Sequence, residues 1–295
     1  MRMRHPGHPD LGTAYLFVTP MVLIIVGLVA YPFFTAFMMS MSDQFVGPGY
    51  KGFVGLKHYL ALPSDFVFRK AISNTFVWAF LSVVFKLGLG MLLALTLNQK
   101  FPGANLAKSL VLLPWVIPTP ITSLVWLWIL NDMFGVLNFM LLKAGLIGAP
   151  IAWLGSGGLA LLSVVSVNIW RGTPFFALSL LAGLKNIPEA QYEAATIDGA
   201  GKLQSFLFVT LPNLTYVILI ASLLEAIWSL GDFSIVYIMT KGGPAGATHL
   251  ISTLSYEVGF LGGNLGRAVA VSLYPLPVIA LLIVAVTYFM ERGRE

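Results

Sequence analysis

The sequence predicts an all-α integral membrane protein with six transmembrane helices, and three observations support this fold class. Hydrophobic residues make up 58% of the 295 residues, charged residues only 10%, and the mean hydropathy is +0.87. These values are far from those of soluble domains, which need more ionisable surface. Six apolar stretches are long enough to cross a hydrocarbon core of about 30 Å at a helical rise of about 1.5 Å per residue. None shows the period-two polar alternation of a β-barrel strand.

Composition also excludes several classes of function. The chain has no cysteine, so disulfide frameworks, thiolate metal sites and cysteine nucleophiles are ruled out. The four histidines show no metal-ligand spacing, and no metal site is predicted. The net charge of +5 is spread along the chain without a basic cluster, which argues against nucleic acid as a partner.

The predicted helices form one domain over residues 14–290. They run approximately from Ala14 to Met41, Ala71 to Leu97, Ser109 to Leu130, Leu159 to Leu184, Leu214 to Met239 and Ala268 to Met290. The first stretch is too long for the hydrophobic region of a signal peptide and is predicted to be retained. Residues 1–13 form an N-terminal arm and residues 291–295 a tail, and an even number of spans places both on the same side. Lysine and arginine divide almost evenly between the two sides, so charge alone does not orient the protein.

Three prolines punctuate the third predicted span. Pro114, Pro118 and Pro120 each remove a backbone donor and disturb the preceding helical turn. We therefore expect this helix to be kinked. Two interpretations of the kink stay open, a static bend that fits the bundle and a hinge used in transport.

Four ionisable side chains lie inside the predicted spans, where a charge costs about 2.5–3.5 kcal/mol on insertion scales and marks a functional candidate. They are Lys86, Arg171, Glu225 and Asp232, and their charges sum to zero, which permits pairing across the bundle. Glu225, Trp228 and Asp232 follow i, i+3, i+7 spacing, so they share one helix face and are predicted to line a polar path.

Each of these side chains also has a structural alternative. For Asp232 the alternative is that it holds a loop or a neighbouring helix near the outer interface. Arg171 suits solute contact and structural pairing equally, and Lys86 is long enough to snorkel towards the interface. Tryptophans in the spans suit stacking on a sugar ring, but also interfacial belts and packing between helices.

The segment between the fourth and fifth spans is neither lipid-like nor disordered in composition. A short helix is predicted after Asn186, with Pro188 at its first position, Glu189 near its positive end and Gly199 turning the chain out. A second short amphipathic helix is predicted from Lys202 to Thr210. The pair forms a helix-turn-helix at the membrane surface that either docks another protein or caps its own bundle.

At this segment the chain resembles a known family. The run Glu193-Ala194-Ala195-x-x-Asp198-Gly199-Ala200, followed by Leu211-Pro212, resembles the EAA motif in the permease subunits of binding-protein-dependent ABC importers. Similarity to the carbohydrate-uptake, MalF-like branch covers nearly the whole chain, including Trp170 to Phe175, Leu181 to Leu184 and Thr240 to Pro244. The resemblance implies the MetI-like fold of type I ABC importer permeases.

The resemblance also implies partners and a mechanism. The EAA-type coupling loop, about residues 185–212, is expected to seat a coupling helix in a cleft of a cytoplasmic ATPase subunit. Both termini are then cytoplasmic and the protein lies in a prokaryotic inner membrane. The expected partners are a second permease subunit, two ATPase subunits and an external solute-binding protein, which together import a sugar or sugar-like solute by alternating access.

No phosphate-binding G-x-x-x-x-G-K-[ST] loop is present, so this chain is not expected to be an enzyme or to hold a cofactor of its own. ATP and Mg would be bound by the partner ATPase subunits. The alternative function is a self-contained secondary transporter or channel, which would not need an exposed coupling loop.

Two sets of candidate residues follow. The ATPase-coupling set is Glu193, Ala194, Ala195, Asp198, Gly199, Ala200, Leu211 and Pro212. The candidate translocation path is Lys86, Trp170, Arg171, Phe175, Glu225, Trp228 and Asp232.

Overall fold

The computed structural model describes residues 11–47 and 49–292 and is mostly helical. Residues 1–10 of the predicted arm and 293–295 of the predicted tail lie outside the described residues. The elements in chain order are α1 (Leu11–Ile25), α2 (Tyr31–Ser40), β1 (Ser42–Phe45), β2 (Gly49–Phe53), α3 (Lys57–Ala61), α4 (Phe66–Leu97), α5 (Ala104–Val116), α6 (Thr119–Ile129), α7 (Val136–Lys143), α8 (Gly157–Lys185), α9 (Glu189–Ile197), α10 (Lys202–Ser205), α11 (Leu211–Gly231), α12 (Ser234–Met239), α13 (Ile251–Tyr256), α14 (Leu265–Leu273) and α15 (Leu276–Arg292).

Five stretches of the described chain are helical, long and apolar enough to cross a membrane. They are Ala14–Ser40, Phe66–Leu97, Gly157–Lys185, Lys202–Gly231 and Leu265–Arg292. The helices α5 and α6 make a sixth if the bent pair is counted as one span. The predicted six-span, α-helical architecture therefore agrees with the structure.

The third predicted span is broken rather than gently kinked. Helices α5 and α6 meet at an angle of 91°. Pro118 has no backbone N–H to continue the helix, and the ring of a proline disfavours the helical conformation in the residue before it, here Ile117, which is extended with φ −67° and ψ 130°. The expectation of a distortion at these prolines is confirmed, and it is larger than a bend.

The fifth span differs from its predicted bounds at both ends. It begins at Lys202, because a π-helical turn, Phe206–Thr210, joins α10 to α11 without a break. The second short helix that we predicted in the coupling loop is thus the first part of this span. At the other end the helix stops at Gly231, and the backbone of Asp232 is extended, so the predicted end at Met239 is wrong.

The chain divides into two compact units, and the smaller one comprises residues 11–61 and Ser255–Tyr274. It contains an antiparallel hairpin of β1 and β2, in which Ser42 pairs with Phe53. The sequence did not indicate this hairpin. Gly266 of α14 lies against it so closely that a Cβ atom would be 1.9 Å from the carbonyl oxygen of Ser42, which excludes any larger residue there.

The larger unit comprises Leu62–Leu254 and residues 275–292 and contains both sets of predicted site residues. One buried core cluster lies where α4, α8 and α11 pack together, and another lies where α4 and α8 meet α12. At Gly90 of α4 an added Cβ atom would be 2.4 Å from the Cβ of Phe176. Glycine therefore permits the close approach of α4 and α8 that brings their polar side chains together.

Candidate functional site

A polar cavity of about 310 Å³ lies among the helices of the larger unit. It is lined by side chains of α4, α5, α8 and α11 and by the residue that follows α11. The lining residues are Lys86, Trp115, Asn168, Arg171, Gly172, Phe175, Glu225, Trp228, Ser229 and Asp232. Six of the seven predicted path residues meet here, which places the intramembrane charges around one space.

Lys86 and Glu225 form a buried ion pair at the wall of this cavity. The Nζ atom of Lys86 lies 2.5 Å from Oε1 of Glu225, and the two side chains are only 3% and 6% exposed. Lys86 also donates to Oδ1 of Asn168 at 3.0 Å, and Ser229 donates to the same Glu225 oxygen at 2.9 Å. The ammonium is therefore paired inside the bundle and does not snorkel to an interface.

This network joins three helices. Asn168 of α8 accepts from Lys86 of α4 and donates through Nδ2 to Ser82 at 2.8 Å, while Glu225 belongs to α11. Gly172 leaves the space for it, since a Cβ atom there would lie 2.4 Å from Cε of Lys86. Buried polar groups are tolerated when each finds a partner, and here the partners come from different helices.

Arg171 and Asp232 supply the other two charges of the lining. No described atom forms a hydrogen bond with the buried Nε of Arg171. The backbone carbonyl of Asp232 accepts a hydrogen bond from the hydroxyl of Ser252. Asp232 thus lies on the cavity wall although the helix that was predicted to carry it ends one residue earlier, and its backbone carbonyl also holds a neighbouring segment, as in the structural alternative.

Three aromatic rings form another part of the wall. The rings of Phe175 and Trp228 meet edge to face with centroids 5.0 Å apart, and Trp115 lies 6.3 Å from Phe175. Trp228 keeps half of its surface exposed, so its ring is open to contact. Aromatic rings of this kind offer an apolar surface beside hydrogen-bonding groups.

The structure does not bring Trp170 into this cavity. Its side chain lines a separate apolar groove with Phe85, Leu92 and Pro174. Successive helical residues point about 100° apart, at 3.6 residues per turn, so Arg171 can face the cavity while Trp170 faces away. Trp170 packs edge to face on Trp126 with centroids 5.5 Å apart, which is the inter-helix packing that was its structural alternative.

The predicted coupling loop contains an exposed helix, α9, held against the start of the fifth span. The hydroxyl of Tyr192 lies 3.0 Å from Oγ1 of Thr210, and Asn213 donates to Gln191 at 2.8 Å. Pro188 was predicted to be the first helical residue, but it is the N-cap residue of α9, and the helix begins at Glu189. Gly199 has φ +81°, a conformation that favours glycine, and it turns the chain from α9 towards α10.

The predicted coupling residues lie together on this loop. Glu193, Ala194, Asp198 and Gly199 are exposed, and Ala195 and Ala200 are half-buried. Leu211 and Pro212 are exposed at the start of α11. The surface therefore combines small and polar side chains of α9 and the following turn with the apolar Leu211 and Pro212.

The predicted sets lack five residues that the structure places at these sites: Trp115, Asn168, Gly172 and Ser229 at the cavity and Ile197 on the coupling loop. Asn168 and Ser229 share helix faces with Arg171 and Glu225, at i−3 and i+4, so their spacing would have found them. Ile197, at the end of α9, is 86% exposed, more than any of the other large hydrophobic side chains that are described as exposed. Ile197 therefore adds one apolar side chain to the exposed surface of α9.

Within residues 11–47 and 49–292 no group of three or more histidine, aspartate or glutamate side chains could hold a metal ion. The chemistry of the cavity is therefore that of hydrogen bonds, charges and aromatic surface.

Several membrane-crossing helices around a polar cavity, with a surface helix fixed to one of them, define a transport permease. The chain belongs to the family of binding-protein-dependent transport system inner membrane components, which it matches over residues 86–294. The resemblance inferred from the EAA-like motif is thereby confirmed.

Relatives with assigned transport roles match nearly the whole chain. The trehalose/maltose transport system permease protein MalF of Thermococcus litoralis is 35% identical over 263 residues, 89% of this chain and 88% of the relative. The sulfoquinovosyl glycerol transport system permease protein SmoG of Agrobacterium fabrum is 32% identical and covers 90% of this chain and 88% of its own. The sn-glycerol-3-phosphate permease protein UgpA of the same organism is 28% identical, with 97% and 96% covered.

Solved structures show the same fold. A chain of a bacterial ABC transporter that imports the acidic polysaccharide alginate superposes with a TM-score of 0.81 at 23% identity, covering 95% of this chain and 96% of the other. A chain from the same kind of transporter, in complex with an alginate-bound periplasmic protein, gives a TM-score of 0.82 at 24% identity. These relatives are ABC transporter permeases, and they give no support to a self-contained secondary transporter or channel.

Proposed function

We propose that this chain is a permease subunit of an ATP-driven ABC importer that takes up a sugar or sugar-like solute. The observation that carries the proposal is the polar cavity, in which charged groups face aromatic rings. Hydroxyl groups of a sugar can form hydrogen bonds with the charged groups, and the apolar face of the sugar ring can lie on the aromatic rings. The relatives named for trehalose, maltose, sulfoquinovosyl glycerol and glycerol phosphate support this class of solute.

The energy is supplied by separate ATPase subunits through the coupling loop. The exposed helix α9 presents small side chains and the open Ile197 to such a partner. Because Tyr192 and Gln191 bond to the start of the fifth span, a force on α9 is passed to α11, which carries Glu225 and Trp228 of the cavity. Nucleotide binding can then bias two arrangements of the bundle, which gives alternating access.

This coupling fixes the orientation. The loop faces the cytoplasm of a prokaryotic cell, and both termini lie on that side. The remaining partners are a second permease subunit, a second ATPase subunit and an external solute-binding protein. All described side chains of the first half-span, residues 14–25, are exposed, so this helix has surface to offer to lipid or to the second permease.

The test is uptake into vesicles. The chain is reconstituted into vesicles with its partner permease subunit and ATPase subunits. The solute-binding protein and labelled sugars are added on the side of the membrane opposite the ATPase subunits. We expect accumulation only with hydrolysable ATP, and none when the chain is reconstituted alone under an ion gradient. Accumulation by the chain alone, driven by an ion gradient without nucleotide, would refute the proposal.

A further inference from the structure

The lining of the polar cavity is electrically balanced. Two basic and two acidic side chains contribute to it, Lys86 and Arg171 against Glu225 and Asp232. One of the two opposite pairs, Lys86 with Glu225, is already closed at 2.5 Å. A solute that enters the cavity therefore meets one remaining cation and one remaining anion.

Part of the hydrogen-bonding capacity of the Lys86–Glu225 pair is already used inside the protein. Lys86 donates to Glu225 and Asn168, and Glu225 accepts from Lys86 and Ser229. Arg171, in contrast, carries further N–H groups on its guanidinium besides the buried Nε, which forms no hydrogen bond with the described residues. Asp232 offers two carboxylate oxygens at the cavity wall.

Arg171 and Asp232 together match a neutral polyol. A guanidinium can only donate and a carboxylate can only accept, while a hydroxyl group does both. Neighbouring hydroxyls of one sugar can thus accept from Arg171 and donate to Asp232. The rings of Phe175 and Trp228 lie beside them for the apolar face of the same sugar.

An anionic group fits the same space poorly. A carboxylate or phosphate that approaches Arg171 also approaches the carboxylate of Asp232, which repels it. Removing a charge from water is costly unless an opposite charge compensates it, and the lining has no surplus positive charge to do so. Specificity of this kind arises from the repulsive group as much as from the attractive one.

We propose that this cavity selects an uncharged polyhydroxylated solute, a neutral sugar, and rejects sugar acids, phosphates and sulfonates, with Asp232 as the group that excludes anions. The inference rests on the proposed function and settles the charge of the solute, which that function leaves open.

The experiment compares matched neutral and anionic probes on the assembled importer in lipid nanodiscs, without binding protein. Saturation-transfer NMR measures the affinities of maltose against maltobionate, trehalose against trehalose 6-phosphate, and glycerol against sn-glycerol 3-phosphate. The variants are Asp232→Asn and a control with the same change of charge, Asp132→Asn, whose residue is exposed outside this cavity.

We expect the unmodified complex to prefer the neutral member of a pair by about tenfold, the effect of about 1.4 kcal/mol. Asp232→Asn should reduce or reverse that preference by about tenfold, because it leaves the lining with one excess positive charge, whereas Asp132→Asn should leave it unchanged. Equal or tighter binding of the anionic probes by the unmodified complex, or equal effects of the two variants, would overturn the inference while leaving the proposed function standing. Binding of no probe at all would remove the cavity as a solute site, and with it the part of the proposed function on which the inference depends.

Discussion

At the residue scale, the stability of the core depends on both partners of the Lys86–Glu225 ion pair. A buried pair of this kind adds little stability compared with well-packed apolar residues, because both charges have left water. Losing one partner is much more damaging, since the other remains buried and uncompensated. The pair therefore makes the packing of α4 against α11 specific.

The first prediction follows from this asymmetry. Glu225→Leu leaves the buried ammonium of Lys86 without its carboxylate and should destabilise the protein by about 3–5 kcal/mol. The double variant Lys86→Met, Glu225→Leu should recover most of the loss, because neither charge remains. Thermal unfolding of the purified chain in detergent measures both, with Glu193→Leu on the exposed face of α9 as the control. If the double variant is no more stable than the single one, the pairing does not explain the loss.

The sequence alone located the charges but not their pairing. Hydropathy and charge cost identify Lys86, Arg171, Glu225 and Asp232 because ionisable residues are rare inside spans. Which of them meet depends on how α4 and α11 are rotated about their axes, and that rotation is decided by close contacts such as those of Gly90 and Gly172. No local pattern contains this information.

At the scale of elements, the coupling loop depends on one backbone conformation. Gly199, at φ +81°, turns the chain between α9 and α10, and nothing lies within 4 Å of the place where its Cβ would be. A larger residue is thus opposed by the backbone rather than by a neighbour. The loop offers an internal comparison, since Gly201 has an ordinary φ of −71°.

The second prediction uses this pair of glycines. Gly199→Val should displace α9 and lower the ATP hydrolysis stimulated by solute and binding protein, because a left-handed conformation costs an L-residue roughly 1–2 kcal/mol, more for a β-branched one. Gly201→Val should keep most of the stimulation. The measurement is stimulated ATPase activity of the assembled complex at matched expression. An equal loss of stimulated ATPase activity in both variants would show that the size of the side chain, and not the left-handed conformation at Gly199, causes the effect.

Sequence patterns predicted which segments are helical more accurately than they predicted where each helix ends. Of the five spans other than the bent pair, all except the fifth span, Lys202–Gly231, lie within a few residues of their predicted bounds. The fifth does not, because apolar residues continue through α12 after the helix has stopped at Gly231, and hydropathy cannot detect a change of direction. The break at Pro118 was visible in sequence as a distortion, but its 91° angle depends on packing.

At the scale of the whole molecule, the orientation depends on whether the bent pair of α5 and α6 crosses the membrane. The loop after α6 and the coupling loop are separated by α8 and lie on opposite sides in either case, but the first span begins on the side of the coupling loop only if the bent pair crosses. Met133 and Ile197 are 77% and 86% exposed and lie on these two loops. The chain has no cysteine of its own, so single cysteines report cleanly.

The third prediction is a labelling pattern in intact cells whose outer membrane has been permeabilised. A membrane-impermeant thiol reagent should modify Met133→Cys and spare Ile197→Cys until the inner membrane is opened. The ratio of labelling before and after opening is the measurement. Labelling of Ile197→Cys but not of Met133→Cys would invert the orientation, and equal accessibility of both would contradict a crossing by α8, the span that separates them.

The tie between Lys86 and Glu225 also sets an order of events during biosynthesis. The two residues are 139 positions apart, so the ribosome delivers the lysine to the bilayer long before the glutamate exists. Asn168 reaches it earlier, after 82 positions, and offers a neutral oxygen in the interval. We therefore expect the second span to reach its final packing only after the fifth span, which carries Glu225, has been translated.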